Sequence, residues 1–151
     1  MGKPAWSSPS TAAGVSRSWS ANGGLRFYIL DNEPSIWHAT HRDVFPTGAT
    51  MEQIRDRSID YAARIKDVDP NAIVLGPEEW GWSGYFWSGF DQQWGAAHGW
   101  TQFPDRDAHG GWDYLPWLLD QMRQNHQATG RRLLEVFTVH YYPQGGEFSN
   151  D

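Results

Sequence analysis

Three short apolar runs organise the chain, and two amphipathic stretches separate them. The first run, Phe27-Tyr28-Ile29-Leu30, mixes β-branched and aromatic residues and reads as a buried strand. It stops at Asp31-Asn32-Glu33-Pro34. The proline closes the strand and disfavours helical geometry just before it, which predicts extended backbone at Glu33. Residues 35–49 read as a long loop. Thr50-Met51-Glu52-Gln53 has the capping-box pattern, in which Thr50 caps the third helical amide and Gln53 reaches back. It predicts a helix to about Asp67 with Ile54, Tyr61, Ala62 and Ile65 on one face. After an Asp69-Pro70-Asn71 turn, the continuous apolar run Ala72 to Gly76 predicts a second strand of the kind found in parallel sheets. Pro77 to Gly111 shows no periodicity and reads as a long functional excursion rich in Gly, Trp, Tyr and Phe. A second helix is predicted from Asp113 to Gly130, with Pro116 in its first turn, Gly130 just past its end, and Leu115, Leu118, Leu119 and Met122 buried. The third strand is predicted over Leu133 to His140, followed by Tyr141-Tyr142-Pro143 and a Gly-Gly turn.

Strand, helix, strand, helix, strand predicts an α/β fold with a parallel sheet and right-handed crossovers. Each strand ends in polar or aromatic residues: Asn32 and Glu33, then Glu78, Glu79 and Trp80, then His140, Tyr141 and Tyr142. Functional groups of parallel α/β folds gather at this end, so a site is expected there. Asn32 places a neutral hydrogen-bonding group beside the Glu33 carboxyl.

Composition narrows the chemistry. There are 151 residues, enough for one core but short of the roughly 250 of a complete (β/α)8 barrel. The net charge is −6 and no basic run occurs, which argues against a nucleic-acid surface. No segment is long and apolar enough to span a membrane. With no cysteine there is no disulfide, thiolate nucleophile or Cys-ligated zinc. Residues 1–24 are rich in Ser, Pro, Gly and Ala and read as a leader or connecting loop, with Trp6 and Trp19 as partly buried anchors and no signal peptide visible. Ten Trp residues leave two readings open: core packing, or a cleft lined with rings that stack on sugars. Trp80, Trp82, Tyr85, Phe86 and Trp87, spaced by Gly and Ser, are the candidate platform, and Trp37 a candidate cleft wall. His38-Ala39-Thr40-His41 has only part of a metal-ligand pattern, so no metal site is expected; calcium at Asp105, Asp107 and Asp113 would lack the EF-hand spacing.

Asn32-Glu33-Pro34 after a strand resembles the acid/base site of retaining glycoside hydrolases built on (β/α)8 barrels. The longer run through Trp37, Thr40-His41-Arg42-Asp43 and Pro46 resembles glycoside hydrolase family 44, as do Val68-Asp69-Pro70-Asn71-Ala72, Leu75-Gly76-Pro77 and Val139-His140-Tyr141-Tyr142-Pro143. Phe45 stands before Pro46, where the family pattern leads us to expect His. The resemblance implies that residues 25–151 are part of the catalytic barrel, about strands 4 to 6, of a secreted endo-β-1,4-glucanase acting on cellulose- or xyloglucan-type chains without a cofactor. Glu33 would be the general acid/base, with Asn32 bonded to a sugar hydroxyl. Glu79, Trp80, Trp82, Tyr85, Trp87 and Trp37 would contact the substrate, and His140 and Tyr142 would flank the reaction centre. Glycoside cleavage takes two carboxyl groups, and one must stay protonated near neutral pH, which burial or a neighbouring carboxylate achieves. The resemblance puts the nucleophile on a seventh strand, beyond Asp151, so the missing barrel halves would be partners and the isolated chain inactive. A rival reading is a non-catalytic carbohydrate-binding module using residues 80–87.

Overall fold

The computed structural model describes residues 23–143. Trp6, Trp19, most of the proposed leader and the Gly-Gly turn fall outside the described residues. Three strands, β1 (Phe27–Ile29), β2 (Ile73–Glu79) and β3 (Val136–Val139), form one parallel sheet in the order β1-β2-β3. Leu75 is the pivot of the register, pairing with Ile29 on one side and Val136 on the other. A 3-10 turn (Pro34–Ile36) and a short helix α1 (Trp37–Thr40) follow β1, and α2 (Met51–Val68) leads to β2.

The capping box forms as expected. Thr50 Oγ1 accepts from the Gln53 amide at 3.3 Å, and Gln53 Oε1 accepts from the Thr50 amide at 3.0 Å. Helix α6 (Tyr114–Thr129) starts after Asp113 and ends at Gly130, whose φ of 71° favours a residue without a Cβ. Ala62 of α2, Val74 of β2 and Met122 of α6 share one buried cluster with Leu133, so both long helices cover the same face of the sheet. A second cluster joins Ala49, Met51 and Ile54 to Tyr114, Leu115, Trp117 and Leu118.

Several expectations are corrected. The first strand is not buried: β1 is an edge strand, with Phe27 60% and Ile29 57% exposed. Those two residues pair with Ile73 and Leu75, so they stand on the face that the helices leave uncovered. Tyr61 and Leu119, expected on the buried faces of their helices, are exposed. The excursion after Pro77 is not irregular. It holds α3 (Gly81–Phe86), α4 (Gly89–His98) and α5 (Pro104–Ala108). Ser88 caps α4 by accepting from the Asp91 amide, Gly99 ends it at φ 74°, and Pro104 opens α5.

Candidate active site

The strand ends carry two departures from ordinary backbone. Glu33 is not extended but left-handed, at φ 51° and ψ 54°, and Glu78 is left-handed at φ 53°. Each such residue costs about 1–2 kcal/mol, so the surroundings must hold it there. The pre-proline rule excludes right-handed helix at Glu33 but leaves this region open. A backbone bond decides between the two: the Glu33 amide donates to the Glu78 carbonyl at 2.8 Å. On the other side of β2 the His140 amide donates to the Glu79 carbonyl at 2.7 Å. The ladder therefore continues past the regular strands and brings Glu33, Glu78 and His140 into line.

Their side chains meet. His140 Nδ1 lies 2.7 Å from Glu33 Oε1, and the Tyr142 hydroxyl donates to the same oxygen at 2.9 Å. His140 Nε2 faces Glu78 Oε2 at 3.3 Å. The bond to Glu33 pushes the Tyr142 phenol above its ordinary range. Two partners on one carboxylate oxygen fix the rotamer of Glu33 and leave Oε2 for a ligand.

The Tyr142 ring lies 6.0 Å from the Trp80 ring, and Trp80 opens onto a cavity of about 650 Å³. Trp80, Trp82, Trp87, Trp100 and Phe103 wall it, with Ser83 and Gln92 as its polar groups. Trp87 stacks on Phe103 at 4.7 Å and 11°. A Cβ on Gly95 would fall 2.8 Å from the Trp100 ring, so the glycine lets α4 approach it. Large apolar walls with a few convergent hydrogen-bonding groups suit a sugar ring, which has apolar faces and polar edges.

Comparisons with known proteins identify the chain's relatives. Residues 12–145 match the model of Glycoside hydrolase family 44. The chain belongs to that family. It is 37% identical over 129 residues to endoglucanase A of Paenibacillus lautus, covering 84% of this chain and 17% of that protein. The bifunctional glucanase-xylanase CelM2, from a metagenome library, superposes with a TM-score of 0.83 at 71% identity, covering 87% of this chain and 25% of that one. A Paenibacillus polymyxa family 44 xyloglucanase gives 0.70 at 35% identity, covering 84% and 23%. The chain thus spans only about a sixth of the curated endoglucanase and a quarter of the solved enzyme.

This family 44 chain sorts its expected site residues into groups. Glu33, His140 and Tyr142 converge. Asn32 is exposed beside Glu33, and its carbonyl accepts from Trp37 Nε1 at 3.1 Å. Trp80, Trp82 and Trp87 wall the aromatic cavity.

Three further residues stand outside the aromatic cavity. Trp37 packs edge-on against Phe45 and lines a separate pocket of about 260 Å³ with Leu30, Pro34 and Tyr61. Tyr85 lies on the core side of α3, with its hydroxyl on the His140 carbonyl. Glu79 is fully buried and out of a ligand's reach. Its Oε1 accepts from the Ser35 hydroxyl at 2.5 Å, the Trp80 amide at 2.9 Å and the Ser35 amide at 3.2 Å. Burial raises its pKa to about 7. Buried Tyr114 lies beside it, and burial with the Glu79 charge pushes that phenol well up.

Asp105 and Asp113, which lack the EF-hand spacing, are engaged within the protein. Asp105 Oδ2 accepts from the Met51 amide at 2.9 Å and from the Ser88 hydroxyl, while Asp113 pairs with Arg106 at 2.7 Å. Glu52, Asp105 and His109 do bring donor atoms within 4.8 Å of one another. Both nitrogens of His109 are already engaged, Nε2 with Glu52 at 2.8 Å and Nδ1 with the Asp105 carbonyl at 2.7 Å, so the group ties α5 to α2.

Sequence reasoning gave Glu78 only a place among the strand-end residues and missed Ser35, Gln92, Trp100 and Phe103. Trp100 and Phe103 reach the cavity only because α4 folds back, and no local period announces that. The usable signals were Ser88, Gly99 and Pro104, which bound the helices that bring them there.

Proposed function

We propose that this chain forms about strands 4 to 6 of the catalytic (β/α)8 barrel of a retaining, extracellular endo-β-1,4-glucanase, with Glu33 as general acid/base and the aromatic cavity as part of the glucan cleft. The observation that carries the reading is the Glu33 carboxyl itself. It stands at a strand end, in left-handed backbone, with Oε1 fixed by His140 and Tyr142. A binding module using the aromatic cavity alone would have no use for a carboxyl held this way. The uncovered sheet face, with Phe27, Ile29 and Val136 exposed, fits packing against the rest of a barrel.

In this reading Glu33 gives its proton to the glycosidic oxygen while a second carboxylate attacks the anomeric carbon. Glu33 then takes a proton from the water that hydrolyses the covalent intermediate. The second carboxylate, about 5 Å from Glu33 in a retaining enzyme, is assigned to a further strand of the longer protein. Trp80, beside Tyr142, joins the reacting centre to the cavity walls.

The test is Glu33→Gln in a longer enzyme that carries this chain. The turnover number should fall by about 10²- to 10⁴-fold while the affinity for cello-oligosaccharides holds. Undiminished turnover would remove Glu33 from the mechanism. The 151-residue chain alone should not hydrolyse carboxymethylcellulose; if it does, the nucleophile lies within it and Glu78 becomes the first candidate.

A further inference from the structure

Glu79 has no exposure to solvent, and the chemistry described above does not use its carboxyl. Burying a carboxyl is costly unless its hydrogen bonds are made. Here a single oxygen, Oε1, accepts three. The Ser35 hydroxyl donates at 2.5 Å, the Ser35 amide at 3.2 Å and the Trp80 amide at 2.9 Å. Ser35 is fully buried too, and Gly84 closes the contact from α3: a Cβ there would fall 2.7 Å from Ser35 Oγ. Ser35 is the middle residue of the 3-10 turn Pro34–Ile36, and Glu33 is the residue that caps its start. The Glu33 carbonyl accepts the Ile36 amide across that turn at 3.1 Å. A residue before proline prefers extended backbone, yet Glu33 stands at φ 51°. If the turn loosened, Glu33 would relax toward the extended form and its carboxyl would swing away from His140 and Tyr142. Two anchors oppose this: the Glu33 amide on the Glu78 carbonyl, and Ser35 on Glu79. The Trp80 end is secured differently. Its Nε1 donates to Ser83 Oγ at 3.1 Å, and the Ser83 hydroxyl donates to Gln92 Oε1 at 3.2 Å, so the ring keeps these bonds without Glu79.

We propose that Glu79 is a positioning residue for the acid/base: by anchoring Ser35 it locks the turn after Glu33, and so keeps the Glu33 carboxyl against His140 and Tyr142. The inference rests on the reading of Glu33 as acid/base. Glu79 touches neither the substrate nor the reacting atoms. It acts from the end of β2 on the backbone that aims Glu33 at the end of β1. The aromatic wall keeps its own side-chain bonds, so loss of the anchor should appear in turnover rather than in substrate affinity.

The experiment compares Ser35→Ala, Glu79→Leu and Glu79→Gln in a longer enzyme that carries this chain. Ser35→Ala removes the hydroxyl bond alone and should lower turnover by about tenfold at unchanged KM. Glu79→Leu removes all three bonds and should lower it by about a hundredfold, with Glu79→Gln, whose amide oxygen still accepts, recovering most of the loss. Adding Ser35→Ala to Glu79→Leu should cost nothing further, because both act through one contact. A second readout does not depend on catalysis. The bond to Glu33 holds the Tyr142 phenol above its ordinary range. In Ser35→Ala, Tyr142 should ionise at lower pH than in the parent, followed by a carbon-13 label at tyrosine Cζ and identified by its absence in Tyr142→Phe. An unchanged Tyr142 titration overturns the proposal, as does a loss carried by KM or an equal loss in the Leu and Gln variants. If Glu79→Leu does not fold, Ser35→Ala decides the matter through the same two readouts. Activity that survives Glu33→Gln would sink the acid/base reading and leave the Tyr142 result standing, so the two failures are distinguishable.

Discussion

At the strand ends, Glu33, Glu78, His140 and Tyr142 meet through contacts of 2.7 to 3.3 Å, held by two left-handed residues and a backbone ladder that outruns the sheet. A few residues further on, from Trp80 to Phe103, five rings and two polar side chains enclose about 650 Å³. The first region fixes single atoms. The second offers a broad wall whose contacts survive small displacements. Proton transfer needs the former, because its rate depends steeply on the distance between two atoms. Holding a polymer needs the latter, because stacking and burial scale with area. Changes at the rim should therefore alter rate, and changes in the aromatic layer should alter affinity.

Glu79 is the sharpest way to probe the seam between the regions, since its carboxyl ties Ser35, two residues after Glu33, to Trp80 at the start of the aromatic layer. Gly84 of α3 also presses on it: a Cβ there would meet Ser35 Oγ at 2.7 Å and Glu79 Oε1 at 2.9 Å. Burial raises the Glu79 pKa from 4.5 to about 7. A raised carboxyl keeps a proton when folded that it releases when unfolded. The folded state is therefore favoured most below 4.5 and loses stability as pH climbs from 4.5 to about 7, by about 3 kcal/mol from this group. Glu79→Gln keeps an acceptor for Ser35 and Trp80 but cannot ionise. Thermal unfolding across that window should show a shallower fall for the variant than for the parent. Parallel curves would mean that Glu79 is not held protonated, and that the tie between the two regions is ionic.

The long periodic elements were legible because local chemistry decides them. Thr50 and Gln53 cap α2 whatever lies around them, and Pro116 and Gly130 bound α6 by their own backbone limits. The three short helices after Pro77 were not: the rings of α3 and α4 pack against one another rather than along one face, and α5 is only five residues long. Glu33 shows a second kind of limit. Its proline rules out one conformation, and a carbonyl 45 positions away chooses between the other two. Glu78 and Glu79 show a third. Two identical side chains in a row receive opposite fates because the irregularity between Pro77 and Glu79 turns one toward His140 and the other into the core. No composition or period carries that information. The convergence of strand ends on a site was legible, since it follows from strand order alone.

Trp82 tests the other side of the comparison. It is 62% exposed and borders the cavity, touching Phe86 and Trp87 edge-on. Trp82→Ala should cost little stability. Its expected effect is a loss of about 1 kcal/mol of cello-oligosaccharide affinity, roughly fivefold, read by calorimetry on a longer enzyme that carries this chain. Turnover at saturating substrate should hold. A loss of turnover with affinity intact would put Trp82 at the reacting centre and blur the division between rim and wall.

Thr50→Ala should separate both regions from simple stability. Thr50 starts α2, where its hydroxyl and the Gln53 side chain satisfy each other's backbone amides. Neither group touches Glu33 or the cavity rings. Losing the cap should cost about 1 kcal/mol, seen as a lower unfolding midpoint in urea. Turnover and glucan affinity, measured well below that midpoint, should not change. The nearest route to the site is the neighbouring Met51 amide, which donates to Asp105 at the start of α5. If the variant weakens glucan binding beyond its loss of stability, that route carries strain into the helices behind Phe103, and the aromatic wall depends on the cap of α2 as well as on its own rings.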